Sequence, residues 1–159
     1  MLRRNLAFIL SLVLIGCSNK REIIRDKNFL VNYGQVCEIK SVEDKEDYWQ
    51  TPSETLGQGG DCEDKAILLD YILKSSHVCR IAFGRRRDEF GKNYLHVWNL
   101  VRVSNKVYVV DPTLRKIIPY GNARNYDDGN FYFETREKVS EYNKRARALK
   151  EHEIEFVYE

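Results

Sequence analysis

The sequence predicts an α+β fold, a helix packed on an antiparallel sheet, and three observations carry that expectation. From residue 62 to about 74 the apolar residues Ala66, Leu69, Ile72 and Leu73 recur at three- and four-residue spacing, the period of a helix with one buried face. Residues 78–83, 94–103 and 106–110 are rich in β-branched and aromatic side chains and are separated by short turn-forming stretches, as in an antiparallel meander. Helical signals come early, strand signals later, and crossover signals are few, which favours α+β over alternating α/β.

The N-terminus stands apart from the domain. Residues 1–16 carry Arg3 and Arg4, then an apolar run from Leu6 to Ile15 broken only by Ser11, then Gly16-Cys17. That run is too short to span a bilayer, which takes ~20 residues. It resembles bacterial lipoprotein signal peptides, in which cleavage precedes the Cys and the new terminus is acylated, palmitate being a typical acyl group. The resemblance implies a lipid on Cys17, a tether over 17–21 and a domain over 22–159. Ser18, where inner-membrane retention favours Asp, implies an outer-membrane anchor facing the periplasm.

Composition narrows the domain. The whole chain has 159 residues, 26 basic against 24 acidic, and is 43% hydrophobic, which suits one globular unit and is too rich in core formers for a disordered chain. Both excess positive charges, Arg3 and Arg4, lie in the signal segment, so the domain is formally neutral and no nucleic-acid partner is expected. A monomer is the default expectation.

Each further element has its own signal. Ile23, Ile24, Lys27 and Leu30 suggest a short helix over 22–33. Residues 47–54 lead into a glycine-rich loop, Leu56-Gly57-Gln58-Gly59-Gly60, and Asp61 is placed to cap the helix that starts at Cys62. Gly84 to Gly91 and Ser104-Asn105 mark the turns between strands, and Arg85-Arg86-Arg87 reads as a solvated hairpin tip. Val139, Tyr142, Ala146 and Leu149 predict a helix over 134–150, and apolar–acidic alternation predicts a last strand over 153–158. His77 and His152 have no partner at useful spacing.

Three cysteines remain beside Cys17. A bridge between Cys37 and Cys79 would contribute ~4 kcal/mol in the chain-entropy model; two buried free thiols are the alternative. Cys62 is different, because a thiol in the first turn of a helix behind a glycine-rich loop is where unpaired amides and the helix dipole favour a thiolate. A nucleophile needs a base and a group to orient it, and His96 and Asp111 offer both. If Ser104-Asn105 is a two-residue turn, His96 stands opposite Thr113, with Asp111 diagonally adjacent on the same face. A three-residue turn would put Asp111 on the other face.

The segments Trp49-Gln50-Thr51-Pro52-Ser53-Glu54-Thr55-Leu56, Gly59-Gly60-Asp61-Cys62-Glu63-Asp64-Lys65-Ala66, His96-Val97-Trp98-Asn99 and Asp111-Pro112-Thr113 resemble the bacterial transglutaminase-like cysteine proteinases, within the transglutaminase and papain-like superfamily. The resemblance implies a papain/transglutaminase-like core with Cys62 as nucleophile, His96 as general base and acid, and Asp111 as the residue that orients the imidazole. It also implies calcium, which a subgroup of the family needs. Asp61, Glu63 and Asp64 surround the thiol with carboxylates that would raise its pKa unless something offsets them, so they are a candidate calcium site; a helix cap and two first-turn acids are the equal alternative. Gln50, Gln58 and Trp49 are candidates for the second oxyanion donor beside the Cys62 amide.

The expected activity is that of a lipid-anchored cysteine peptidase acting on a protein or peptide. An amine-transferring crosslinker or peptidoglycan stem-peptide amidase would use the same acyl-thioester, and an inactive binding module is a third alternative.

Overall fold

The structure, a computed structural model, describes residues 24–42, 48–127 and 132–133. The signal segment, the tether with Cys17, the expected helix over 134–150, the expected strand over 153–158 and His152 lie outside these residues.

The first helix, α1, spans Lys27–Cys37 rather than 22–33. Its start is set by Asp26, an extended N-cap whose carboxylate accepts the Phe29 N–H at 2.9 Å, so the helix begins after it. The same carboxylate pairs with His77 Nε2 at 3.1 Å, which gives His77 the acidic partner its spacing did not reveal. Phe29, Tyr33, Val36 and Cys37 form the buried stripe of α1.

A second helix, α2 over Pro52–Gln58, occupies part of what reads as loop. Thr51, Pro52 and Glu54 start it: the Thr51 hydroxyl accepts the Glu54 N–H, the Glu54 carboxylate accepts the Thr51 N–H at 2.7 Å, and Pro52 sits where no donor is needed. Helix α3 spans Cys62–Leu73, as its periodicity predicts. Asn99 Nδ2 donates to the Ala66 carbonyl at 2.9 Å and fastens this helix to the sheet.

Six strands follow, all antiparallel: β1 Val78–Arg87, β2 Asn93–Val103, β3 Lys106–Asp111, β4 Lys116–Pro119, β5 Tyr126–Asp127 and β6 Tyr132–Phe133. The order across the sheet is β4-β3-β2-β1-β5, with β6 also pairing β1. Strand β1 runs past Gly84, so the three arginines belong to a paired strand, Arg85 opposite Asp127 and Arg86 opposite Tyr126, and not to a hairpin tip. The tip is Asp88 to Lys92, where the Asp88 carboxylate accepts the N–H groups of Phe90 and Lys92 at 2.9 Å each.

Between β2 and β3 the turn has two residues: Val103 pairs with Lys106 and Asn99 with Val110, with Ser104 at a φ of 56°. Helices α1 and α3 cover one face of the sheet through Phe29, Leu68, Leu69, Val101, Tyr108 and Val110. Trp49, Ala66, Ile67, Ile81 and Val97 continue that layer toward the N-terminus of α3. The opposite face is smaller: Ala82, Trp98, Val109 and Ala123, with Tyr126 packed against them.

The expected bridge is not formed: Cys37 and Cys79 are both free thiols. Cys37 lies beside the Tyr33 hydroxyl within α1, whereas Cys79 on β1 is engaged by Asp70 and receives Asn99 Nδ2 at 3.5 Å.

Candidate active site

The N-terminus of α3 is shaped by the residues before it. Gly59 has a φ of +89°, and a Cβ there would stand 2.6 Å from the Lys40 carbonyl oxygen; a Cβ on Gly60 would stand 2.5 Å from Asp64 Cβ. Only glycines let the chain pass between residue 40 and the helix.

Asp64 is fully buried and spans the gap so made: Oδ1 accepts the Gln50 N–H at 2.7 Å and Oδ2 the Asp61 N–H at 3.3 Å. These bonds join the segment ahead of α2 to the first turn of α3. Lys65, only 2% exposed, points its ammonium at the Ser41 hydroxyl at 2.8 Å. Burial pulls its pKa down, against the opposing pull of Cys37, Asp111 and Asp61.

Cys62, half-buried, opens the helix and packs against the cluster that holds Trp49 and Val97. Its thiol donates to Glu63 Oε2 at 3.0 Å. Burial, then the Glu63 charge and hydrogen bond, and less strongly Asp61, push the thiol well above its ordinary value; the Val97 N–H facing the sulfur opposes them. These influences favour the protonated form of the thiol. Glu63 is pushed up by burial and by the Asp64 charge, while its bonds to Asp61 and Cys62 pull it down.

His96 and Asp111 meet inside the protein. Nε2 of His96 lies 2.7 Å from Asp111 Oδ2, with Asp111 fully buried and His96 9% exposed. The two-residue turn puts both side chains on one face, and the carboxylate leans one diagonal step to reach the ring. Oδ1 accepts the Leu114 N–H at 3.0 Å, and Tyr126 Oη donates to Oδ2 at 2.9 Å. Burial pushes Asp111 up, but the bond to His96, its charge and these two donors outweigh it and hold the carboxyl below its ordinary value. Trp98 stacks on the His96 ring at 6.2 Å between centroids and meets Tyr126 edge-on at 5.1 Å.

Of the residues singled out from the sequence, His96 and Asp111 are bonded, and Cys62 lies against the backbone of the strand that carries His96 through Val97. Cys62 and His96 are not hydrogen-bonded to each other, because the thiol turns to Glu63. With Nε2 taken by Asp111, Nδ1 is the ring nitrogen left for a thiol. Gln50 and Trp49 are buried beside the start of α3, whereas Gln58 is exposed at the end of α2. Asp61, Glu63 and the Cys62 sulfur offer ligand atoms within 4.8 Å of one another; the oxygens of Asp64 face backbone amides.

Sequence reasoning did not find Tyr126, Trp98 or Lys65. Trp98 and Lys65 sit inside motifs that drew attention for other residues. Tyr126 lies in a stretch with no periodicity, and nothing local marks it.

No family model matches the sequence, and no curated protein matches it either. Solved structures do match. Calcium-bound Legionella pneumophila LapG aligns with a TM-score of 0.55 at 19% identity, over 67% of this chain and 63% of that one. EGTA-treated LapG aligns with a TM-score of 0.53 at 16% identity, over 74% of this chain and 77% of that one. A further LapG structure gives 0.53 at 15% identity, over 74% and 73%. The chain thus spans less than two thirds of calcium-bound LapG, and at these identities the likeness establishes a shared fold.

Proposed function

We propose that this chain is a transglutaminase-like cysteine peptidase in which Cys62 is the nucleophile, His96 the general base and acid, and Asp111 the group that orients the imidazole. The observation that carries the reading is the buried 2.7 Å bond between His96 and Asp111, on strands beside the helix that Cys62 opens.

His96 Nδ1 takes the thiol proton as the sulfur attacks a peptide carbonyl carbon. The oxyanion is met by the Cys62 amide and a donor from the buried pair Gln50 and Trp49. The imidazolium gives its proton to the departing amine as the C–N bond breaks, leaving an acyl-thioester. Water, deprotonated by His96, attacks that thioester and releases a carboxylic acid, and the thiol is regained.

Calcium fits the donor set through Asp61 and Glu63, whose ligand oxygens lie within 4.8 Å of each other; Asp64 is committed to amides. Bound there, Ca²⁺ would supply positive charge beside the sulfur and compete with it for Glu63. One of the similar LapG structures is calcium-bound, in keeping with this. The reading includes a lipid on Cys17 and a place in the cell envelope, at the outer membrane facing the periplasm, with a protein substrate there. Incorporation of a clickable palmitate analogue, abolished by Cys17→Ser, tests the anchor.

The test of the chemistry is iodoacetamide alkylation of Cys62, located by mass spectrometry, in wild type and His96→Ala with and without Ca²⁺. The reading expects calcium-dependent labelling near pH 6 that slows by about tenfold or more in His96→Ala. Labelling that rises only toward alkaline pH, indifferent to the substitution and to calcium, overturns it.

A further inference from the structure

Asp111 is a buried carboxylate with three donors on two oxygens, and two of them share Oδ2: His96 Nε2 at 2.7 Å and Tyr126 Oη at 2.9 Å. The direction of that second bond is set by the carboxylate. An ionised carboxylate can only accept, so the phenol donates its single hydrogen to Oδ2. Arg86 stands opposite Tyr126 in the β1–β5 pairing.

The geometry points to Tyr126 as a positioning residue for the proposed triad, its hydroxyl clamping the Asp111 carboxylate so that Oδ2 meets Nε2 of His96. A carboxylate can rotate about its Cβ–Cγ bond. With Leu114 N–H on one oxygen and Tyr126 on the other, rotation would break two hydrogen bonds in a site shielded from water. Trp98 closes the arrangement, stacked on the imidazole and edge-on to the phenol, so ring and carboxylate are held by one aromatic wall. Lys65 of α3 and Tyr33 of α1 are two further titratable groups that feel the Asp111 charge.

The inference rests on the reading of His96 as the triad base, and its test is chosen to fail separately. A short, buried N–H···carboxylate bond gives a low-field proton resonance that exchanges slowly with water. In the purified full chain, the His96 Nε2–H signal is expected in wild type and lost in Asp111→Asn. In Tyr126→Phe, which keeps the ring and its contact with Trp98, the signal is expected to shift upfield and to be lost to water exchange at a temperature where wild type retains it. Tyr71→Phe, an exposed tyrosine, should leave it unmoved. A Tyr126→Phe signal with the wild-type position and exchange rate overturns the inference. Cys62 alkylation that ignores His96→Ala sinks the peptidase reading instead, and leaves the proton signal to speak for Tyr126 alone.

Discussion

The carboxylate of Glu63 accepts the thiol of its neighbour Cys62 at 3.0 Å, so the proposed nucleophile is tied to a negative charge in its own helix. That contact works against the first turn of α3, where amides and the dipole favour an anion. Burial and Glu63 together win over them, and the thiol is pushed up.

Glu63→Gln removes the charge and keeps the shape. Losing a neighbouring anion favours the thiolate, so the alkylation rate of Cys62 in the absence of calcium should begin to rise at lower pH than in wild type. Calcium added to wild type should act in the same direction. An identical pH profile for the two proteins would show that Glu63 does not hold the proton on the sulfur.

The Asp111 carboxyl makes a prediction about acid. Its folded pKa is held below the ordinary 3.8, so the stability it contributes is present above that value and is lost as pH falls through the folded value. Asp111→Asn has no such group to titrate. Below about pH 4, wild type should lose stability with falling pH more steeply than the variant, as read by denaturant unfolding at a series of pH values. Parallel slopes would remove the carboxylate from the native ion pair.

Gly60→Ala should destabilise the domain through Asp64. The new Cβ would stand 2.5 Å from Asp64 Cβ and 2.7 Å from Oδ2, so the buried carboxylate must leave the amides of Gln50 and Asp61 or the helix must shift. Leaving those groups unpaired costs about 1–3 kcal/mol, which would show as a lower Tm. Gly57→Ala, with nothing within 4 Å of the new atom, is the control and should be neutral or slightly stabilising.

These contacts also show why the sequence was legible in places and not in others. Helix α3 and strands β2 and β3 were readable because each buries one face, and the resulting period is written in the sequence. The His96–Asp111 meeting could be reasoned out because a two-residue turn leaves a single register. Helix α2 had a full local signal in Thr51, Pro52 and Glu54, but glycines on its C-terminal side read as loop. Strand β1 past Gly84 could not be seen: its arginines are strand residues because β2 and β5 flank them, which is a fact of tertiary structure. The turning of Cys62 to Glu63 was equally hidden, since adjacent residues on a helix do not face each other by spacing alone.

The free state of Cys37 and Cys79 yields the last prediction, and it separates two outcomes that the sequence left open. A bridge would tie α1 to β1 and contribute ~4 kcal/mol, all of it lost on reduction. In the structure both thiols are free, and burial pushes both above their ordinary value, well above for Cys79, where the Asp70 charge adds to it. Oxidation proceeds through a thiolate, so thiols whose pKa is raised, as at Cys37 and Cys79, should resist it even in an oxidising compartment. The Tm should therefore be the same with and without reductant, and the intact mass should be that of the reduced chain. A Tm that falls on reduction, with a matching gain of two mass units, would show that the bridge forms and that α1 moves to make it.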